Sequence, residues 1–114
     1  MRRRDDGYAV LWSLALAGAL SIIGTAGLSL CSLALAHLRA GNAADLAAIA
    51  AASNPLDPCG SAVRIAHANS AELIDCSNAD ADVIVRVRVQ APAIAHWLGS
   101  DKLEVTARAG PSTD

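Results

Sequence analysis

Cysteine is the residue type in this sequence with the clearest chemistry, since two thiols can form a disulfide or bind a metal ion. Cys31 lies inside an apolar segment, whereas Cys59 and Cys76 lie in the more polar part of the chain. In an oxidising compartment these two could pair, closing a loop of about 15–20 residues and contributing on the order of 3 kcal/mol. Two free thiols are one alternative, and a metal site that adds His67 is another, although no CxxC or HxxxH spacing supports a metal. We predict the disulfide.

Other side chains that could act in catalysis are scattered along the sequence. His37, His67 and His96 stand far apart. No serine, cysteine or carboxylate has the spacing of a nucleophile with its base. We therefore predict no catalytic, cofactor-binding or metal-binding residue, and we expect a protein without enzymatic activity.

The composition argues against several classes of partner. The formal net charge of the 114 residues is −2 at pH 7, which provides no basic field for a phosphate backbone. Aromatic residues make up 3% of the chain and Phe is absent, so stacking platforms for bases or sugars are not expected. Neither a nucleic acid nor a small-molecule substrate is expected as a ligand.

A long apolar run occupies the first third of the chain. No Asp, Glu, Lys, Arg or His occurs between Tyr8 and Ala36, and a helix of that length reaches roughly 40 Å, enough to span a bilayer. Three arginines at positions 2–4 precede the run, so the positive-inside bias places the N-terminus in the cytoplasm. The sequence predicts a basic cytoplasmic leader over 1–7 and a transmembrane helix over 8–36. The protein would cross the cell membrane once, with its C-terminal domain extracytoplasmic.

A cleaved signal peptide is the competing interpretation of the same run. Ala34-Leu35-Ala36 fits the small-x-small pattern that signal peptidase accepts. The run is nearly twice as long as the 7–15 apolar residues of a signal peptide, which favours a retained anchor. The alternative prediction is a small secreted binding protein, released after Ala36.

The helix is expected to continue outside the membrane over 37–54. This segment is rich in alanine, and Leu38, Leu46 and Ile49 are spaced so that they can share one side of a helix. The helix must end before Pro55, because the residue before a proline is disfavoured in the α region.

Residues 55–110 predict a small disulfide-bonded domain, so the fold class is α+β. NPLDPCGS has the composition of a turn-rich linker. A short helix over 61–71 should follow, resting on a three-stranded antiparallel sheet, and residues 111–114 should form a disordered tail. The helix residues expected towards the core are Ala62, Val63, Ile65 and Ala66.

Three segments predict the strands of the sheet: ELIDCS, VIVRVRVQ and KLEVTAR. The second alternates cleanly, with valines at 83, 85, 87 and 89 on one face, and the third places Leu103, Val105 and Ala107 on one face. Arg86 and Arg88 share the opposite face of the second strand. They could bind an anion there, but solvated charge, with pairing to Glu104 across the sheet, is the favoured interpretation.

The alanine-rich segment GNAADLAAIAAA, together with Cys59, Cys76 and the stretch VRVRVQAP, gives the chain a family resemblance. From Gly7 to about Gly110 the chain resembles the TadE/TadG-like proteins linked to assembly of the tight-adherence (Flp) pilus, in particular their small actinobacterial branch. The resemblance implies a pilin-like membrane protein whose partners are other pilin-like or pilus-assembly membrane proteins. The residues that match the family's helix motif are Asn42, Ala43, Ala44, Asp45 and Leu46.

The same resemblance implies a processing site near the N-terminus. Pilin-like precursors are cut after a glycine that follows a short basic leader, and here the bond would be Gly7–Tyr8. A glutamate is common at the fifth mature position, but the fifth residue after Gly7 is Trp12. Without that buried acid the pairing it makes in lipid is lost, so a minor subunit is expected in place of a major pilin.

Overall fold

The computed structural model describes residues 2–111, and residues 2–6 by their backbone alone. The chain divides into two compact units, Met1–Ser32 and Leu33–Asp114, and the second is called the domain below. Of the predicted tail, residues 112–114 lie outside the described part of the chain. In order, the elements are α1 (Arg2–Ser53), α2 (Pro58–Ala68), β1 (Glu72–Ala79), β2 (Asp82–Gln90), α3 (Ala93–Trp97) and β3 (Lys102–Ala109).

The fold class is α+β, as predicted. A long apolar helix at the N-terminus is followed by a short helix and by a three-stranded antiparallel sheet in the order β1-β2-β3. α1 has 52 residues and is already helical at Arg2, so residues 2–7 of the predicted leader belong to it. It ends at Ser53, two residues before the proline that was expected to stop it.

The part of α1 in the first unit presents its apolar side chains outward. Between Tyr8 and Leu30 its large apolar residues are 60% to 74% exposed, so none of them is packed within this unit. Its serine and threonine hydroxyl groups are satisfied locally, because each donates to a carbonyl oxygen three or four residues earlier, at 2.7 to 2.9 Å. A helix in lipid needs its polar groups satisfied internally in this manner. The donors are Ser13, Ser21, Thr25, Ser29 and Ser32.

The part of α1 in the domain buries a face made of alanine. These residues are at most 1% exposed, and they belong to one core cluster with the valines of β2. The methyl side chain of alanine lets the helix backbone approach the sheet closely while keeping a high helix propensity. The face consists of Ala40, Ala43, Ala44, Ala47, Ala48 and Ala51.

The short helix α2 begins three residues earlier than predicted. The Asp57 carboxylate accepts a hydrogen bond from the Gly60 N–H at 3.0 Å, and Pro58 occupies the first turn, so the segment predicted as a linker starts the helix. α2 also ends earlier, at Ala68, because Ser70 adopts the left-handed conformation with φ 57°. The prediction that Val63 faces the core was wrong, since its side chain is 50% exposed.

The strand β2 lies in the middle of the sheet and supplies most of its core side chains. Val83, Val85, Val87 and Val89 are at most 8% exposed, which confirms the alternation predicted for this segment. β1 runs two residues further than predicted and meets β2 through a two-residue turn in which Asp80 has φ 56°. The register of β1 shifts between Leu73 and Asp75, the signature of a β-bulge.

Candidate functional site

The three histidines lie on three different helices, α1, α2 and α3. His37 and His67 are exposed, and His96 is paired with the carboxylate of Asp101 at the surface. Over residues 2–111 no group of three His, Cys, Asp or Glu side chains has an arrangement that could hold a metal ion.

Cys59 and Cys76 form a disulfide, the pairing that the sequence predicted. Their Cα atoms are 5.9 Å apart and their positions in the chain differ by 17. Because both thiols are used, the alternative metal site with His67 does not form. The bond ties the first turn of α2 to the middle of β1, and Cys31 is a free, exposed thiol on α1.

The two arginines on the open face of the sheet differ in their surroundings. Arg88 donates two hydrogen bonds to one oxygen of Glu104, at 2.7 and 3.1 Å, and these residues are directly opposite each other on β2 and β3. This is the cross-strand pair expected from the sequence. Arg86 lies opposite Asp75 on one side and Thr106 on the other, and its side chain is exposed. Acidic and basic residues alternate across this face, which disfavours a concentrated anion site.

The five motif residues of α1 divide between two sides of the helix. Ala43 and Ala44 are fully buried and belong to the core of the domain. Asn42, Asp45 and Leu46 are exposed, and Leu46 retains 46% of its surface. Two of the five motif residues therefore belong to the core of the domain, and three are exposed.

The outward side of α1 in the domain carries three large apolar residues. Leu38 and Ile49 are 60% and 57% exposed and lie on the same side as Leu46. The sequence placed these three residues on one side, and the structure leaves that side uncovered. A row of exposed large apolar residues on a helix is typical of a surface that packs against another helix.

The predicted processing site lies at the start of α1. Gly7 is exposed, and a Cβ added there would meet nothing within 4 Å. Tyr8 is 64% exposed and makes an edge-to-face contact with Trp12, with ring centroids 6.1 Å apart. The bond between Gly7 and Tyr8 is part of the helix.

A surface that the sequence did not reveal lies at the connection between β2 and β3. Trp97, the last residue of the short helix α3, is 90% exposed, and Leu98, which follows it, is 73% exposed. A shallow depression adjoins Trp97 and is lined also by Gln90, Pro92 and Lys102. Exposure of a single tryptophan has no signature in a pattern of hydropathy, so the sequence did not indicate this surface.

Comparison of the chain with family models, with curated proteins and with solved structures finds no match in any of the three. The fold and these surfaces define a class of protein in which a long apolar helix precedes a small domain. By its length and composition, α1 could cross a membrane, and it leads into a disulfide-bonded α+β domain.

Proposed function

We propose that the protein is a non-enzymatic, single-pass membrane protein of the pilin-like type, which takes part in assembling a Flp-type pilus or enters it as a minor subunit. This proposal rests on the observation that two parts of α1 have different surroundings. One stretch of the helix is uncharged and exposed on every side, and the next buries an alanine face in the domain. The pilus role in this proposal rests on the resemblance to TadE/TadG-like proteins.

The topology in this proposal follows from charge. Positions 2–4 are arginines and the next 29-residue stretch, 8–36, has no charged residue, so the N-terminus lies in the cytoplasm and the domain outside the membrane. The disulfide supports this placement, because such bonds persist in oxidising extracytoplasmic compartments. A membrane-impermeant thiol reagent, added to intact cells after mild reduction, should label Cys59 and Cys76. Labelling only after lysis would reverse the topology.

The proposed partners are other membrane helices of the pilus machinery. The side of α1 that carries Leu38, Leu46 and Ile49 is exposed and apolar, and Asn42 and Asp45 add polar groups that could fix the register of a neighbouring helix. This side would provide the lateral contact, and the domain would provide contacts outside the membrane.

The second candidate is a secreted binding protein released after Ala36, and one observation favours it. A fragment that begins at His37 would keep the whole alanine face, which starts at Ala40, together with the sheet and the disulfide. The mature N-terminus separates the two candidates. Met1 or Tyr8 supports the membrane protein, whereas His37 supports the secreted one.

Deletion of the gene in its native host tests the pilus role. We expect fewer pili in the surface-sheared fraction by electron microscopy and recovery when the full chain is supplied again. A variant that begins at His37 behind a cleavable signal peptide is the matched control, since it exports the same domain without the membrane helix. Restoration of pili by this control would reject the anchored role, and unchanged pilus numbers in the deletion strain would reject the pilus role.

A further inference from the structure

We propose that the end of the domain that carries Trp97 and Leu98 docks on the lipid headgroups of the membrane that α1 spans. This inference rests on the transmembrane role of α1 given under the proposed function. It adds a second membrane contact, which would hold the domain against the bilayer surface.

The two side chains are held outward by an ordered turn. The N–H of Leu98 donates to the carbonyl of Ala95 at 3.0 Å, and the N–H of Gly99 donates to the carbonyl of His96 at 3.1 Å. Gly99 has φ 81°, a conformation that glycine adopts without strain. Ala95 is 3% exposed, so this alanine of α3 faces inward. Trp97 and Leu98, which come after it, are left in the solvent.

This turn lies at the end of the domain where α1 enters it. A depression in the domain surface is lined by Ala36 and Arg39 of α1 and by Val89 and Gln90 of β2. Gln90 also lines the depression next to Trp97. The last residues of β2 therefore lie beside the start of the domain's part of α1, and the chain passes directly from there into α3.

The position of Ala36 relates this end of the domain to the bilayer. Ala36 is the last residue of the uncharged run that begins at Tyr8, and a helix over that run is roughly 40 Å long. The hydrocarbon core of a bilayer is about 30 Å thick, and the full bilayer with its headgroup regions is about 40–45 Å thick. Ala36 is thus expected at headgroup level, and the turn with Trp97 is at the same end of the domain.

The chemistry of the exposed residues matches that of the headgroup layer. Tryptophan and tyrosine concentrate at both interfaces of a membrane, because their rings are apolar and their N–H or O–H groups are polar. The chain has three aromatic residues, and two of them, Tyr8 and Trp12, stand at the start of the uncharged run. Trp97 is the third, and it would occupy the opposite interface.

The charges around the turn are compatible with anionic lipid. Arg39 and Lys102 are exposed at this end of the domain, and both line depressions next to Gln90. The carboxylate of Asp101, the acidic residue next to this turn, is paired with the side chain of His96. Basic residues next to a membrane surface are attracted by anionic headgroups.

Fluorescence of Trp97 in the full chain tests the docking. With Trp12→Phe, Trp97 becomes the only tryptophan, and the protein is placed in nanodiscs of phosphatidylcholine containing phosphatidylglycerol, which leave both faces open to solutes. We expect its emission at shorter wavelength than that of a water-exposed tryptophan. Phosphatidylcholine brominated near the headgroup should quench it, and iodide in the buffer should quench it weakly.

Leu56 provides the matched control. It is 96% exposed and lies beyond the far end of α1, about 25 Å along the helix from Ala36. With Trp12→Phe and Trp97→Phe, the change Leu56→Trp should give an indole that iodide quenches freely and brominated lipid does not.

Each contrary result has a distinct meaning. Equal iodide quenching of Trp97 and of the control would overturn the docking and leave the transmembrane role intact. Protection from iodide without quenching by brominated lipid would also overturn it, since a protein neighbour would then be covering the tryptophan. A chain that does not enter nanodiscs would overturn the transmembrane role, and the docking with it.

Discussion

At the scale of single residues, the disulfide is the feature with the largest expected effect on stability. Replacing Cys59 by Ser removes the cross-link between α2 and β1 and frees the unfolded chain to explore more conformations. We expect Cys59→Ser to lower the free energy of unfolding of the domain by about 2–5 kcal/mol. Amide hydrogen exchange at Val85 and Val87, in the detergent-solubilised full chain, measures the opening of the central strand.

Cys31→Ser is the control for this change. Cys31 is exposed and outside the disulfide, so its replacement should alter the same exchange rates by less than about 0.5 kcal/mol. Equal exchange in the Cys59→Ser variant and the wild type would mean that the disulfide does not stabilise the domain.

Two glycines are expected to respond in opposite directions to replacement by alanine. A Cβ on Gly60 would collide with the Asp57 carboxylate that caps α2, and losing the cap should cost about 0.5–2 kcal/mol. A Cβ on Gly41 would meet nothing within 4 Å, and alanine inside a helix is favoured over glycine by about 0.5–1 kcal/mol. Gly60→Ala should therefore destabilise the domain and Gly41→Ala should stabilise it, as measured by the same exchange experiment. A stabilising Gly60→Ala would show that the Asp57 cap is dispensable.

The pairing of the cysteines could be predicted from the sequence, but the role of Gly60 could not. Cys59 and Cys76 are the two cysteines of the polar region, and a domain of this size needs a covalent support. The sequence DPCG fits a helix start capped by Asp57. Two prolines and a glycine within a few residues, however, also have the composition of a linker. Local composition did not distinguish a linker from a capped helix start.

At the scale of elements, the alanine face of α1 belongs to the same buried core as the valines of β2. Ala44 is fully buried in the core cluster, so a larger side chain there would have to displace its neighbours. We expect Ala44→Leu to destabilise the domain by about 1–3 kcal/mol. Leu46 is close to Ala44 in the helix but lies on its exposed side. Leu46→Ala should therefore lower the free energy of unfolding by less than about 0.5 kcal/mol.

The same two variants also separate folding from assembly. If the apolar side of α1 packs against partner helices, Leu46→Ala should weaken recovery of the protein in a pilus fraction while leaving exchange at Val85 and Val87 unchanged. A stable Ala44→Leu variant would contradict the close packing of helix and sheet.

The elements themselves could be predicted to different degrees. The strict alternation of VIVRVRVQ predicted both the strand and its buried face, because successive residues of a strand point to opposite faces of the sheet. For α1, the spacing of Leu38, Leu46 and Ile49 identified one side of the helix, but the core lies on the other. Alanine has little surface to bury, so hydropathy alone did not indicate that the alanine face would form part of the core.

At the scale of the whole molecule, the fate of the N-terminus decides between the two functional candidates. Both candidates retain the core of the domain, because a cut after Gly7 and a cut after Ala36 each leave Ala40 to Ala51 in place. What separates them is the use of the 29-residue stretch 8–36, which is longer than a signal peptide requires.

We therefore predict that the protein stays in the membrane fraction and begins at Met1 or at Tyr8. Expression with and without a prepilin peptidase, followed by intact-mass measurement, identifies the first residue. Gly7→Leu is the matched control: a side chain at Gly7 has free space in the structure, so the helix is retained while the glycine that the peptidase needs is lost. Loss of the leader from the wild type but not from Gly7→Leu would establish processing at this bond, whereas a soluble fragment starting at His37 would contradict the anchor.

The same cells give the prediction for assembly. Trp12 stands where a pilin commonly has an acid, and a tryptophan at that depth favours the lipid interface over a charge pair inside a bundle of helices. We expect no filaments in the sheared surface fraction when this chain is expressed alone, even if Gly7–Tyr8 is cut, because the pairing that joins major pilins is missing. Electron microscopy of that fraction measures the outcome. Abundant filaments built from this chain would show that the exposed side of α1 suffices for polymerisation, and the protein would then be a major subunit.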